Sequence, residues 1–238
     1  MTDGQLTLTS QKLWTPRAAA IAGILFAVLF ISSIVFIRLS IPANPADGGA
    51  WLKDRAGTVL LALNLVPFAG IAFLWFMGVM RDRLGHLEDQ FFSTVFFGSG
   101  LLFLAMTFAS AALAGGTLAA HAVESSRLID SGVYTFARAV MYRISNVYAI
   151  KMAGVFMISL GTIWVRTGVM PRWLAFLTYA LALVLLVIIG SSLWVTLIFP
   201  GWVCVVSLYI LALNLRGPSV SPQGGGPLNR QGMVERRM

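Results

Sequence analysis

Charge is what this sequence has least of. Only 11% of its 238 residues are Asp, Glu, Lys or Arg, against about a quarter in a soluble domain. With 58% of residues hydrophobic, most of the surface is not built to face water. Cysteine is nearly absent too. Cys204 is alone, which rules out an intrachain disulfide, and it lies in an apolar run as inert packing. The two histidines, His86 and His121, sit at opposite ends of one long apolar run, so they cannot ligate the same metal or haem. The sequence has no HExxH, no CxxC and no phosphate-binding glycine loop. All nine carboxylates fall in loops, tails or the ends of apolar runs, whereas ion-coupled carriers place acids within the membrane. These absences predict no catalytic residues, no metal site and no cofactor, and therefore a protein that is not an enzyme.

Long continuous apolar runs are what the sequence does have. A bilayer core about 30 Å thick takes about 20 apolar residues per helical span. Backbone groups in lipid must bond internally, which leaves helices or a closed barrel. A barrel would alternate over about ten residues per strand, and these runs do not alternate. The expected fold class is all-α: a polytopic membrane helical bundle of six transmembrane helices plus one interfacial amphipathic helix. Spans are expected near 18–37, 56–80, 91–120, 147–165 and 173–189, with the sixth inside 193–215. Because of Pro200-Gly201, residues 193–199 are either part of that last span or interfacial. The first run is too long for a signal-peptide core and reads as an uncleaved span. Residues 1–17 read as a flexible tail, 18–215 as the membrane domain, and the Gly/Pro/Ser-rich 216–238 as a disordered tail.

The longest connection, 121–146, is patterned. Val133, Phe136, Ala137, Val140, Met141, Ile144 and Val147 recur at helical spacing, and so do Thr135, Arg138, Tyr142 and Ser145. The pattern predicts an amphipathic helix at the membrane surface leading into the fourth span.

Net charge is +8, but the basic residues are scattered over loops and tails without a basic, aromatic-interleaved stripe. The expected partner is the lipid bilayer and not nucleic acid, at about 1 kcal/mol of headgroup attraction per basic residue. Basic residues near the span ends are balanced between the two sides. The inner loops are shorter and denser in charge, so both termini are expected in the cytoplasm.

Three groups of polar or small residues stand out. Asn64 and Pro67 lie one turn apart in the second span, and Lys151 lies inside the fourth. They mark either a polar cavity or ordinary interhelical contacts and a lysine that snorkels to the interface. The island RDRLGHLEDQ, with Arg81, Asp82, Arg83, Glu88 and Asp89, reads as either a cytoplasmic docking hairpin or a solvated turn. In the third run, Ala105, Ala109, Ala112, Gly116 and Ala119 share one helix face. That face suits close helix approach within the chain, in a homo-oligomer or with a partner subunit. Gly98-Ser99-Gly100 lacks the glycine that the rhomboid-protease motif needs at 97, where Phe97 stands, and no later span holds a histidine.

RTGVMPRWLAFLTYALALVLLV and FMGVMRDRLGHLEDQFFSTVFFGSGLLF resemble hairpins of uncharacterised six-helix membrane proteins of actinobacterial, domain-of-unknown-function type. The resemblance implies a bacterial inner-membrane protein and carries no assigned activity. The leading functional expectation is a non-enzymatic structural or regulatory membrane component. The alternative is a small permease or channel-like carrier for a neutral or anionic solute.

Overall fold

The structure is a computed structural model that describes residues 15–41, 51–84, 90–124, 128–129, 131–187 and 193–215. Its principal helices are α1 (Thr15–Ser40), the short α2 (Trp51–Asp54), α3 (Ala56–Leu84), α4 (Gln90–Val123), α5 (Val133–Arg143), α6 (Ile150–Thr167), α7 (Arg172–Val187) and α8 (Ile198–Leu215). A π-helical segment, Ile144–Ala149, joins α5 to α6, and a 3₁₀ segment, Leu193–Leu197, precedes α8. No strand occurs among the described residues. Five stretches are long and apolar enough to cross a membrane: Arg17–Ser40, Ala56–Arg81, Phe91–Val123, Val133–Thr167 and Trp194–Asn214. α7, the span expected at 173–189, is a shorter apolar helix of 16 residues packed along α6.

Two groups of helices make the bundle. α1 packs against α3 on one flank and α8 on the other, while α6 lies between α4 and α7. The face of α6 carrying Ala153, Phe156, Met157, Leu160, Ile163 and Trp164 is buried, which makes α6 the central helix. At the middle of the bundle, rings from α1, α3, α4, α6 and α8 meet. Phe26 and Phe73 have centroids 4.7 Å apart, Phe103 and Phe199 also 4.7 Å, and Phe96 and Phe156 4.5 Å. Lipid tails are as apolar as these side chains, so burial alone does not drive helices together, and close ring packing supplies the attraction.

The outward faces are equally apolar. Leu61, Phe68 and Trp75 on α3, Leu102 on α4, Phe176 and Leu183 on α7, and Leu208 on α8 are all exposed. Patches of that extent are incompatible with a water-facing monomer and match a hydrocarbon surround. Most buried polar side chains are satisfied within the bundle; Trp164 Nε1 and Ser207 Oγ are buried without a hydrogen-bond partner among the described residues. The hydroxyls of Thr117, Ser159 and Thr178 each donate to the carbonyl four residues back, a local bond available to Ser and Thr in any helix. A few bonds tie helices together. Ser33 on α1 donates to the Ala62 carbonyl on α3 at 2.8 Å, and Trp202 on α8 donates to Thr178 Oγ1 on α7 at 2.9 Å. The Thr162 and Tyr179 hydroxyls, on α6 and α7, share a bond of 2.9 Å.

Several boundaries differ from those read in the sequence. α3 runs on to Leu84, four residues into the charged island, because charged residues at a span end do not stop a helix. It also passes through Pro67 without interruption. The amphipathic segment and the fourth span form one continuous helical run, Val133–Thr167. Within the last stretch the α-helix α8 begins at Ile198, after the 3₁₀ segment, so Pro200 falls in its first turn, where proline is tolerated. Between α6 and α7, Gly168 has φ 65° and its N–H donates to the Trp164 carbonyl at 3.0 Å. This is the left-handed helix stop that glycine adopts without strain. The tails at 1–14 and 216–238 and the island's centre at 85–89 lie outside the described residues.

Candidate functional site

A cavity of about 730 Å³ lies among α1, α3, α4, α6 and the α5–π segment. That is within the range of about 300–1,000 Å³ typical of small-molecule sites. α1 presents one face to it: Phe30, Ser33, Ile34, Ile37, Arg38 and Ile41, the three-and-four spacing of a helix stripe. α3 contributes Val59, Leu63 and Val66, and α4 contributes Phe103, Thr107, Ser110 and Ala114. The polar stripe of the amphipathic helix, Thr135, Arg138, Tyr142 and Ser145, also lines this cavity. Phe136 on the other side of that helix is exposed. The amphipathic pattern is therefore read correctly as a helix, but its polar side faces an internal space, as polar residues of a bundle in lipid do.

The cavity is polar at one end and apolar at the other. At the polar end, half-buried Arg38 donates from Nη2 to Asn146 Oδ1 at 2.8 Å. Asn146 is itself held in place. Its Nδ2 donates to the Tyr142 carbonyl at 3.1 Å and to Ser145 Oγ at 2.9 Å, which fixes the direction of the amide oxygen. Among the described residues, Arg38 makes no other hydrogen bond, so most of the five N–H donors of a guanidinium stay available. Arg138, which donates to Tyr134 Oη at 3.3 Å, and Arg143 complete the basic end. The lining residues include no carboxylate.

Midway along the cavity the hydroxyl groups are already engaged. Ser33 donates to Ala62, Thr107 to Phe103 and Ser110 to Met141, each to a backbone carbonyl. The deep end is largely apolar, formed by Phe30, Phe103, Ala153, Leu185, Val195 and Phe199, with Thr196 beside Val195. From Arg38 to Phe30 along α1 is about 12 Å at 1.5 Å per residue. Phe103 and Phe199 also belong to the central aromatic cluster, so the cavity ends against packed rings.

The π segment places Asn146 on the wall. Its wider turn holds one more residue than an α-turn, and such turns recur at functional sites. Arg38 and Asn146 are not among the residues that the sequence singles out. Arg38 reads as the first loop residue and Asn146 as the last residue of a connection. The one signal pointing here is the polar stripe Thr135–Arg138–Tyr142–Ser145, whose continuation at helical spacing is Asn146.

The residues singled out from sequence lie elsewhere. Asn64 and Pro67 are exposed on the outward side of α3, and Lys151 is half-buried in the first turn of α6. None of the three lines the cavity, and the structure does not bring them into one site. In the charged island, the Arg81 guanidinium lies 5.0 Å from the ring centre of Phe97 on α4. From α6, Arg166 lies 4.5 Å from the ring centre of Phe92. The two cations seat the start of α4 against its neighbours. The side chains of Asp82 and Arg83, and Glu88 and Asp89 entirely, lie outside the described residues.

Ala105, Ala109, Ala112, Gly116 and Ala119 are all exposed, and Ala112 and Gly116 line a shallow groove with Val133 and Ala137 of α5. Ser99 is buried, and its hydroxyl donates to the Val95 and Phe96 carbonyls at 2.7 and 3.0 Å, an ordinary helix-backbone bond. Among the described residues no group of three or more His, Cys, Asp or Glu could hold a metal ion. Compared with protein-family models, curated proteins and solved structures, the chain finds no match.

Proposed function

We propose that this chain is a non-enzymatic integral membrane protein of a bacterial inner membrane that binds an anionic ligand in the cavity behind Arg38. The observation that carries this reading is the Arg38–Asn146 pair on a wall without carboxylates. A guanidinium taken out of water costs several kcal/mol unless it is compensated. Here a neutral amide takes one donor, and Arg38 lines a cavity that an anion fits. The lining supports binding more than chemistry, since it offers donors and apolar surface but no carboxylate, histidine or thiol to take a proton.

A binding or sensing component fits better than a permease. The cavity ends on Phe103 and Phe199, which are 4% and 3% exposed and belong to the ring cluster shared by five helices. A solute moving through would have to part that cluster. The expectation of a carrier built on Asn64 and Lys151 has no support from their positions.

The test uses purified protein in nanodiscs and measures melting temperature with a panel of organic carboxylates and phosphates against neutral analogues. Wild type is expected to be stabilised by anions selectively, and Arg38→Gln to lose that selectivity. Proteoliposomes are expected to show no protein-dependent flux of the same anions. Equal stabilisation of wild type and Arg38→Gln would refute the reading.

A further inference from the structure

From the separation of polar and apolar ends within one cavity, we infer that the ligand is a single-chain amphiphile, with its anionic head at Arg38 and Asn146 and its tail against Phe30, Phe103 and Phe199. This rests on the anion-binding reading above and adds the chemistry of the rest of the molecule. The head site is basic and hydrogen-bonding. Arg38, Arg138 and Arg143 line it together with Tyr142 and Asn146, and Arg38 keeps donors free among the described residues. A guanidinium suits a carboxylate or phosphate, which accept two parallel bonds from its fork.

A small hydrophilic anion would satisfy the head and leave the remaining space unexplained. Beyond Ser33, Thr107 and Ser110, whose donors are already taken by backbone carbonyls, the lining is aliphatic and aromatic apart from Thr196, over the last ~4.5 Å to Phe30 measured along α1. Water in that part would find few partners. An alkyl chain loses nothing there and gains dispersion contacts with three rings. The volume of about 730 Å³ is that of a drug-sized ligand. It is not that of a two-chain phospholipid, each of whose chains reaches across half of a core about 30 Å thick. One chain fits and two do not.

The experiment is photolabelling of the full chain in phosphatidylcholine nanodiscs, read by peptide mass spectrometry. Three probes carry a diazirine near the end of an alkyl chain: a decanoate, the matching decanol, and a two-chain phosphatidylglycerol. The decanoate is expected to label the stretches of α1, α4 and α8 that hold Phe30, Phe103 and Phe199. Unlabelled decyl phosphate should compete it away, while acetate and inorganic phosphate should not. Arg38→Gln should cut the labelling at least tenfold, and Arg38→Lys should retain part of it. Ala111→Phe, which narrows the cavity without touching the Arg38–Asn146 bond, should abolish labelling in a protein whose melting temperature is unchanged. That variant keeps the test meaningful if Arg38→Gln fails to fold.

Full competition by acetate or inorganic phosphate would overturn the amphiphile and leave the anion site standing. Stronger cavity labelling by phosphatidylglycerol than by decanoate would overturn the single chain. Equal labelling by decanol and decanoate, insensitive to Arg38→Gln, would overturn both this inference and the anion-binding reading beneath it.

Discussion

Asn64 and Arg38 show how little residue type says about role in a membrane helix. Asn64 is the polar residue that stands out in an apolar span, yet it is exposed on α3 and lines nothing. Arg38 looks like a loop residue and lines the main cavity. Asn64→Leu is therefore expected to leave melting temperature and anion stabilisation within error of wild type. Loss of anion stabilisation in that variant would return the site to α3. Gly154 makes a different point. A Cβ there would lie 3.0 Å from Leu186 Cγ and 3.3 Å from the Ala182 carbonyl oxygen, and a backbone carbonyl cannot step aside. Gly154→Val should cost about 1–3 kcal/mol, the usual range for overpacking, read as a lower melting temperature in detergent. Gly78→Val is the control, because a Cβ at exposed Gly78 meets nothing within 4 Å.

The π segment is the element on which the site depends. A π-turn carries one residue more than the α-helix around it, so α5 is rotated relative to α6 by about 100°, the angle of one residue at 3.6 per turn. Deleting Tyr148, which is 58% exposed, should close the run into a regular α-helix and swing Arg138 and Tyr142 off the cavity wall. The expected result is a folded helical protein, by circular dichroism, that no longer shows Arg38-dependent anion stabilisation. An unchanged response would mean that Arg38 alone suffices. The α4 stripe is a second element, exposed along its length among the described residues. Ala109 and Gly116 are exposed, with nothing within 4 Å of a Cβ at Gly116. Replacing both by leucine should leave the fold intact, and by mass photometry it should yield monomers wherever the wild type self-associates through this face.

Taken as a whole, the molecule carries its apolar side chains both inside and out. With the basic, short hairpins inside, reporter fusions after Arg83 and Arg166 should read cytoplasmic, and fusions at Pro45 and Ser126 external. An external reading at Arg83 would invert the bundle and place the polar end of the cavity on the cytoplasmic side. That outcome would change where the ligand comes from without changing its chemistry.

What the sequence by itself determined is the class of solvent and where the long apolar helices lie. Both follow from local sums: about 20 apolar residues in a row make a spanning helix whatever surrounds it, and the helical period of 133–147 is written in consecutive residues. The stripe of small residues on α4 is legible for the same reason. The partition of polar groups between lipid side, helix contact and cavity was decided only in the tertiary structure. Arg38 and Asn146 are 108 residues apart. Their meeting depends on how α1, α4 and α6 pack and on an extra residue in one turn, neither of which has a local sequence signature. Which side of the amphipathic helix faces inward is likewise unreadable from its period, because in lipid both apolar and polar faces have somewhere to go. The packing of its neighbours turned the polar face toward Arg38.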